Sequence, residues 1–348
     1  MYIVDLIKKN AGKRKIAFWG GWEEKEIVDQ IAENKEYIFV SAKPHEYDKK
    51  LKVEHLASLN GKSERFYVVV FPKETAEIRG MFSRFGYNDN DVFYVNHVPY
   101  IRNGNGIDKY GNMVTGLQKG CKIIFTGYDA VVNIGKGLSV KNELKIHCGS
   151  RGIVNIGCNC RINDKCTITA ANLTQEKLIE CEIGDNIVFN DCELYLYSGK
   201  IKIGSDSSFG SNLRMASGYK KEIIIGKDCM FSFDIFLQCG DGHNIYDLDK
   251  NICVNDVELL SDDKKKIIIG EHVWCGLRVI ILNGTQIGNG SIVGAQSLVK
   301  GIFPNNCVLV GSPAKIIQKN KAWSRSPVIN ENSPTPYEKE FFKKTEGD

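Results

Sequence analysis

A chain of 348 residues is longer than one ordinary core needs and suits two domains. With 43% hydrophobic and 25% charged residues it has the composition of a folded soluble protein, and a net charge of +4, scattered without a basic face or block, excludes nucleic acid as an expected partner. The start, MYIVDLIKKNAGKRK, lacks a leader pattern and no later apolar run is long enough to span a bilayer, so a cytoplasmic protein without a membrane span is expected.

Within residues 1–115, KIAFWG, YIFVSA and RFYVVVF read as buried strands that alternate with helical segments around EEKEIVDQIAEN and ETAEIRGMFSRFG. That alternation predicts a small α/β, Rossmann-like domain with a parallel sheet. Gly20-Gly21 follow a strand and precede a helix, where free N–H groups attract anions. Glu23, Glu24 and Glu26 fill the same first turn and repel a phosphate, and no G-x-G-x-x-G is present, so dinucleotide binding is not expected.

Over residues 116–318 the pair Ile-Gly recurs at Ile134, Ile156, Ile183, Ile203, Ile225, Ile269 and Ile287, and the text near the end divides into sixes: IGEHVW, CGLRVI, ILNGTQ, IGNGSI, VGAQSL, VKGIFP. A period of six fits one short strand and one corner per unit, three units closing a triangular coil whose aliphatic residues stack inward. Gly is expected beside the corner because it accepts backbone angles that a side chain resists. Ile269 to Ile287 is 18 residues, one coil, whereas Ile225 to Ile269 is 44, eight more than two coils. The surplus is expected between His243 and Lys266, as a long loop leaving a rigid scaffold.

All twelve cysteines fall between Cys121 and Cys307. Cys158 and Cys160 are close, but no paired CxxC or nearby His completes a zinc site, so Cys is read as a small hydrophobe kept reduced. Residues 319–348, ending SPTPYEKEFFKKTEGD, have no repeat and are expected to pack loosely or contact a neighbour.

The repeat, with DGHNIYD, IGEHVWCG and the closing VLVGSPAKII, resembles the hexapeptide-repeat acyltransferases, among them the bacterial capsule and lipopolysaccharide O-acetyltransferases. The resemblance implies a left-handed parallel β-helix, a homotrimer with active sites between subunits, and transfer from acetyl-CoA to a sugar of a surface polysaccharide or its precursor. It implies His243 as the general base, the side chain whose ordinary pKa best suits that task. Asp241, two residues earlier, is left with three readings: orienting the imidazole, binding the acceptor, or stabilising the turn. The match to Val273-Trp274-Cys275-Gly276 implies the Leu277 amide as oxyanion donor. Trp274 either walls the pantetheine channel or caps a corner. Coenzyme contacts are implied for Gly276, for Gly294 and Ala295 of Gly294-Ala295-Gln296-Ser297, and for Ser312, Ala314 and Lys315 of the closing turn, where Lys315 meets a phosphate or is a solvated surface lysine. Lys300 stands one place away from the lysine of relatives, which turns it to the opposite face of a strand.

N-acetylation of a nucleotide-linked amino sugar would use the same base and coenzyme site. A non-catalytic scaffolding solenoid is the reading from another class. A zinc carbonic anhydrase on the same coil needs two histidines a few residues apart, and His45, His55, His97, His147, His243 and His272 include no such pair, so no metal is expected.

Overall fold

The structure, a computed structural model, describes residues 3–20, 25–33, 35–41, 53–72, 74–95, 99–171, 179–329 and 333–347. The chain forms two units, one of Met1–Arg102, Gly106–Met113 and Phe125–Ala130, the other of Asn103–Asn105, Val114–Ile124 and Val131–Asp348. The boundary is interleaved, where the sequence suggests a single cut after residue 115. Asn112 explains part of this: its buried amide donates to the Gly127 carbonyl (2.8 Å) and accepts from the Ala130 amide (2.9 Å), which holds Phe125–Ala130 in the first unit.

The first unit contains α1 (Ile3–Ala11), β1 (Lys15–Trp19), α2 (Lys25–Ala32), β2 (Tyr37–Ser41), β3 (Val53–His55), β4 (Phe66–Val70), α3 (Ala76–Arg84) and β5 (Val92–Tyr94). All five strands are parallel in the order β3-β2-β1-β4-β5, as in doubly wound α/β folds. Alternation along β1 feeds two cores: Ile16 and Phe18 pack with Leu6, Ile7 and Ile31, while Ala17 packs with Leu59, Val68 and Phe82. The short strands β3 and β5 and the helix α1, which the sequence shows only as a start without a leader pattern, complete the unit. Gly20 has φ +82°, and a Cβ there would stand 3.3 Å from Phe71 Cβ and Pro72 Cδ, so the turn itself demands glycine. Gly21, Glu23, Glu24, His45 and His97 lie outside the described residues, as does the Glu26 side chain.

The second unit is a parallel coil with three faces. The Ile-Gly strands form the first face, and the aliphatic ladder Ile134, Ile156, Ile183, Ile203, Ile225, Ile269, Ile287 stacks residue on residue to Phe303. Each fully buried isoleucine contributes about 1.5–3 kcal/mol. On the second face the interior holds a stack of rings, Phe189 over Phe209 (centroids 5.0 Å) and Phe209 over Phe231 (4.8 Å). Cysteines fill other inward positions. Cys166 pairs in register with Cys192 on the third face, and burial pushes the Cys148 and Cys229 thiols up to about 12, which suits small hydrophobes and not nucleophiles. No helix among the described residues is long and apolar enough to cross a membrane.

Two details of the repeat differ from expectation. The glycine of each Ile-Gly pair does not take left-handed angles; those fall two residues later, on Asn159, Asn186, Asp206, Asp228 and His272. The glycine is required by close approach instead: a Cβ on Gly157 would lie 2.5 Å from the Gly184 carbonyl carbon, and one on Gly226 2.6 Å from that of Gly270. The loop is also longer than the count of two coils plus eight allows. Ile225 pairs directly with Ile269, so a single coil separates them and everything else between is excursion.

The described residues after Gln318 are anchored to the coil at several points instead of packing loosely throughout. They form a strap over the corner between the first and second faces, with Trp323, Glu338, Phe341 and Thr345 buried. His272, itself fully buried, is sandwiched between Trp323 (centroids 4.1 Å) and Phe341 (4.9 Å). Its Nδ1 lies 2.6 Å from Asp228 Oδ2 and its Nε2 3.0 Å from the Trp323 carbonyl, while Trp323 Nε1 donates back to the His272 carbonyl (2.8 Å). Arg325 donates to Asp228 Oδ1 (2.5 Å) and to the Cys229 carbonyl (3.0 Å).

Burial alone would push the Asp228 carboxyl up, but the hydrogen bonds from His272 and Arg325 outweigh it and hold the group below the usual range. A carboxyl with a folded-state pKa below its unfolded value of about 3.9 stabilises fully above that value and loses the contribution as pH falls through the folded one. Asp228→Asn should therefore cost about 3–5 kcal/mol at neutral pH, the usual effect of breaking a buried pair, and should flatten the acid side of the stability profile. Thermal melts at neutral and acid pH check this; identical curves for variant and wild type would remove the clamp from the account.

Candidate active site

Strand Phe236–Cys239 on the third face points Leu237 and Cys239 inward and Phe236 and Gln238 outward. The chain then leaves the coil at Gly240 (φ +143°) and Gly242 (φ +76°), angles that favour glycine, and returns at strand Lys266–Ile269. The excursion carries a small antiparallel hairpin, Tyr246–Asp247 against Ile252–Cys253.

Asn255 ties this loop down. Its Nδ2 donates to Asp241 Oδ2 (3.0 Å) and to the His243 carbonyl (2.8 Å), and its Oδ1 accepts from the Ile245 amide (2.8 Å). Gln238 Nε2 donates to the Gly240 carbonyl (2.8 Å) at the loop's root. The His243 backbone is thus fixed while its imidazole stays exposed. Among the described residues no hydrogen bond joins Asp241 to that ring, so of its three readings the observed contact fits stabilisation of the loop.

His243 and Asp241 line a groove of about 830 Å³. Its floor is the outer side of the third face, with Tyr195, Arg214 and Phe236, and its wall is the loop. Tyr195 and Tyr197, two residues apart on one strand, lie with parallel rings (centroids 6.1 Å, 4°). Arg214 is committed to Glu193 (2.8 Å).

The other expected site residues gather at the corner between the second and third faces. A Cβ on Gly276 would lie 2.9 Å from the Ala295 amide, and one on Gly294 2.8 Å from Val310 Cγ2, so both glycines are needed for coil stacking whatever else they do. The Leu277 carbonyl accepts from the Gln296 amide (2.8 Å), whereas the Leu277 amide has no partner among the described residues. Buried Ser297 donates to the Gly294 carbonyl (2.7 Å) and accepts from the Gly311 amide (3.2 Å), which ties the Gly294–Ala295 corner to the closing turn. Ala295, Ser312 and Lys315 are exposed there, and Ala314 is buried. Trp274 points outward from the second face, 37% exposed, its ring 6.1 Å from Trp323 of the strap. Lys300, one residue beyond inward-pointing Val299, is exposed at the other end of the third face, on the corner from which the His243 loop departs.

The structure therefore brings together His243 with Asp241, and separately Leu277 with the coenzyme candidates. Within one chain the two groups stand at opposite ends of a third-face strand of four residues, roughly 13 Å at about 3.3 Å per residue. Sequence reading misses Asn255, which lies in a stretch without periodicity, and Lys221, which lines the same groove but sits in YKKE, a run that reads as solvated charge. The alternation in ELYLY is the one signal that could have flagged the paired tyrosines.

No family model matches the chain. Over 227 residues it is 31% identical to the polysialic acid O-acetyltransferase of Neisseria meningitidis, covering 62% of this chain and 96% of that protein. It is 35% identical over 127 residues to the polysialic acid O-acetyltransferase of Escherichia coli O1:K1 / APEC, and 33% identical over 111 residues to the putative lipopolysaccharide biosynthesis O-acetyl transferase WbbJ of Escherichia coli K12. The matches take in 36% and 30% of this chain, and span only 39% and 57% of those two relatives. Among solved structures, the polysialic acid O-acetyltransferase OatWY is similar with a TM-score of 0.54 and 29% identity, over 62% of this chain and 98% of that one. The polySia specific acetyltransferase NeuO, at 24% identity and a TM-score of 0.52 over 66% of this chain and 89% of that one, shares the fold. With a stacked six-residue coil, an excursion loop at His243 and a relative matched over nearly its whole length, this chain belongs to the hexapeptide-repeat acyltransferase family.

Proposed function

We propose that the protein is a cytoplasmic O-acetyltransferase that moves an acetyl group from acetyl-CoA to a hydroxyl of a sugar in a surface polysaccharide or its precursor. The observation that carries this is an exposed imidazole, held by its backbone, in a groove large enough for sugar residues beside the coil. The names of the relatives, which refer to polysialic acid and lipopolysaccharide, support an acceptor of that class.

In this reading His243 takes the proton of the acceptor hydroxyl as its oxygen attacks the thioester carbonyl. The unpartnered Leu277 amide meets the oxyanion as charge develops on it. His243 then returns the proton to the departing sulfur, so no covalent enzyme intermediate is required. Exposed Ala295 lets the coenzyme approach the backbone, and Lys315 offers a point charge to a phosphate. Because base and amide stand at opposite ends of the third face, the base of one copy serves the coenzyme corner of the next, which fits a homotrimer with its active sites between subunits.

His243→Ala should keep the oligomer and lower acetyl transfer by roughly 100- to 10,000-fold, the usual contribution of a positioned base. Release of free thiol from acetyl-CoA, followed with a panel of oligosaccharide and nucleotide-sugar acceptors, measures it; a variant with undiminished rate would falsify the assignment. Lys315→Ala should raise KM for acetyl-CoA severalfold to about tenfold with kcat little changed, as expected for an exposed contact to a charged group. An unaltered KM would put the coenzyme phosphates elsewhere.

A further inference from the structure

Lys221 is the charged side chain of the groove that the proposed reaction leaves unexplained. It lines the cavity with His243, yet the residue is only 6% exposed. Its backbone is fixed: the carbonyl accepts from the Lys200 amide (2.9 Å) and from Ser217 Oγ (2.8 Å), and the amide donates to the Gly218 carbonyl (3.0 Å). That corner sits one coil from the root of the loop, since the Gly218 amide donates to the Cys239 carbonyl (2.9 Å). The stem runs past the root as well, with Cδ 3.7 Å from where a Cβ on Gly240 would be.

Neighbouring charges are accounted for. Arg214 pairs with Glu193, Lys220 with Glu258, Asp241 takes the Asn255 amide, and Asp256 accepts from the Glu258 backbone (2.9 Å). Among the described residues the Lys221 ammonium has no carboxylate within 4.0 Å and no hydrogen-bond partner, and it is not one of the fully buried unpartnered polar atoms, so its tip opens into the groove while its stem is covered. An unpaired ammonium that opens into the groove beside His243 is a ready partner for an anionic oxygen, and the packed stem fixes where it stands. A lysine kept only to cover Gly240 with its stem would need no charge.

We infer that Lys221 is the anion-recognising residue of the acceptor site, pairing with a carboxylate or phosphate carried by the sugar that His243 deprotonates. The inference rests on the acyl-transfer reading of His243 for what the bound sugar does next, but the anion site itself is tested by binding. The chemistry shared by an acidic sugar residue and a phosphate-linked sugar is an anionic oxygen at the distance a lysine spans from the loop root.

The test is titration calorimetry on the full-length protein with three probes: a uronic acid tetrasaccharide, the same tetrasaccharide with its carboxyls reduced to alcohols, and a nucleotide-linked hexose. Wild type should bind one of the charged probes at least about tenfold more tightly than the reduced one, in line with one charge-assisted contact. Lys221→Met, which keeps the stem, should abolish that preference while leaving the melting temperature and acetyl-CoA binding unchanged, and Lys221→Arg should restore part of it. Loss confined to the tetrasaccharide assigns a carboxylate, and loss confined to the nucleotide sugar a phosphate. Equal binding of charged and reduced probes by wild type, no binding of either charged probe, or undiminished preference in Lys221→Met each overturns the inference. His243→Ala should bind the charged probe as wild type does, so a fault in the base assignment appears in the transfer rate and not in this titration.

Discussion

One constraint governs the second unit: at each Ile-Gly corner the backbone of one coil lies directly on the backbone of the next. Glycine is there because any side chain would meet a carbonyl carbon at about 2.5 Å, as between Gly157 and Gly184. Once the corners are in contact, successive strands are held at the hydrogen-bonding spacing, the inward isoleucines align, and the coil has no freedom to shear. The outward residues inherit this order. Tyr195, Arg214 and Phe236 form a regular floor because each sits in register with its neighbours on strands that cannot slide. The groove beside His243 is therefore a property of the coil before it is a property of the loop.

The three corners carry different tasks. The strap lies on the first, the expected coenzyme residues gather on the second, and the loop with His243 leaves from the third. The width of the third face separates the corner from which the His243 loop leaves from the corner of the coenzyme candidates. The proposed reaction therefore draws the base and the thioester from neighbouring copies.

How much of this could be read beforehand depends on how local each signal is. The ladder from Ile134 to Ile287 was legible because its cause, the glycine contact, recurs with every turn and writes itself into the text. The strands KIAFW, YIFVS and FYVVV were legible for a similar reason, being short runs of buried residues between breaks. The excursion after Cys239 showed as a lost beat, but its length did not, because a gap of 44 residues fits two coils and a short loop as well as one coil and a long loop; only the pairing of Ile225 with Ile269 decides. His243 was singled out by its neighbours in the sequence, DGHNIYD. Lys221 was not, since burial of a lysine is a fact about packing and YKKE gives no sign of it. The strap was missed because Trp323 and Phe341 meet His272 across about 50 to 70 positions of chain, with no period to connect them.

The exceptions to the repeat are where the protein departs from being a mere solenoid. The left-handed corner position held by Asn159, Asn186, Asp206 and Asp228 needs a short polar side chain that tolerates the angle, and for four coils it has one. In the coil that follows the loop the same position holds His272, a poorer fit to the angle but long enough to reach the tail. The imidazole then uses the preceding coil's Asp228 as its partner, so the regular residue and the exceptional one form a single clamp. Lys221 follows the same logic: it stands in a coil lengthened at Gly218–Lys221, where the extra residues turn a corner outward and aim a stem at the loop root. In a scaffold whose ordinary positions are dictated by stacking, these two residues face beyond the coil, His272 toward the tail and Lys221 into the groove, where the inferred anion would meet it.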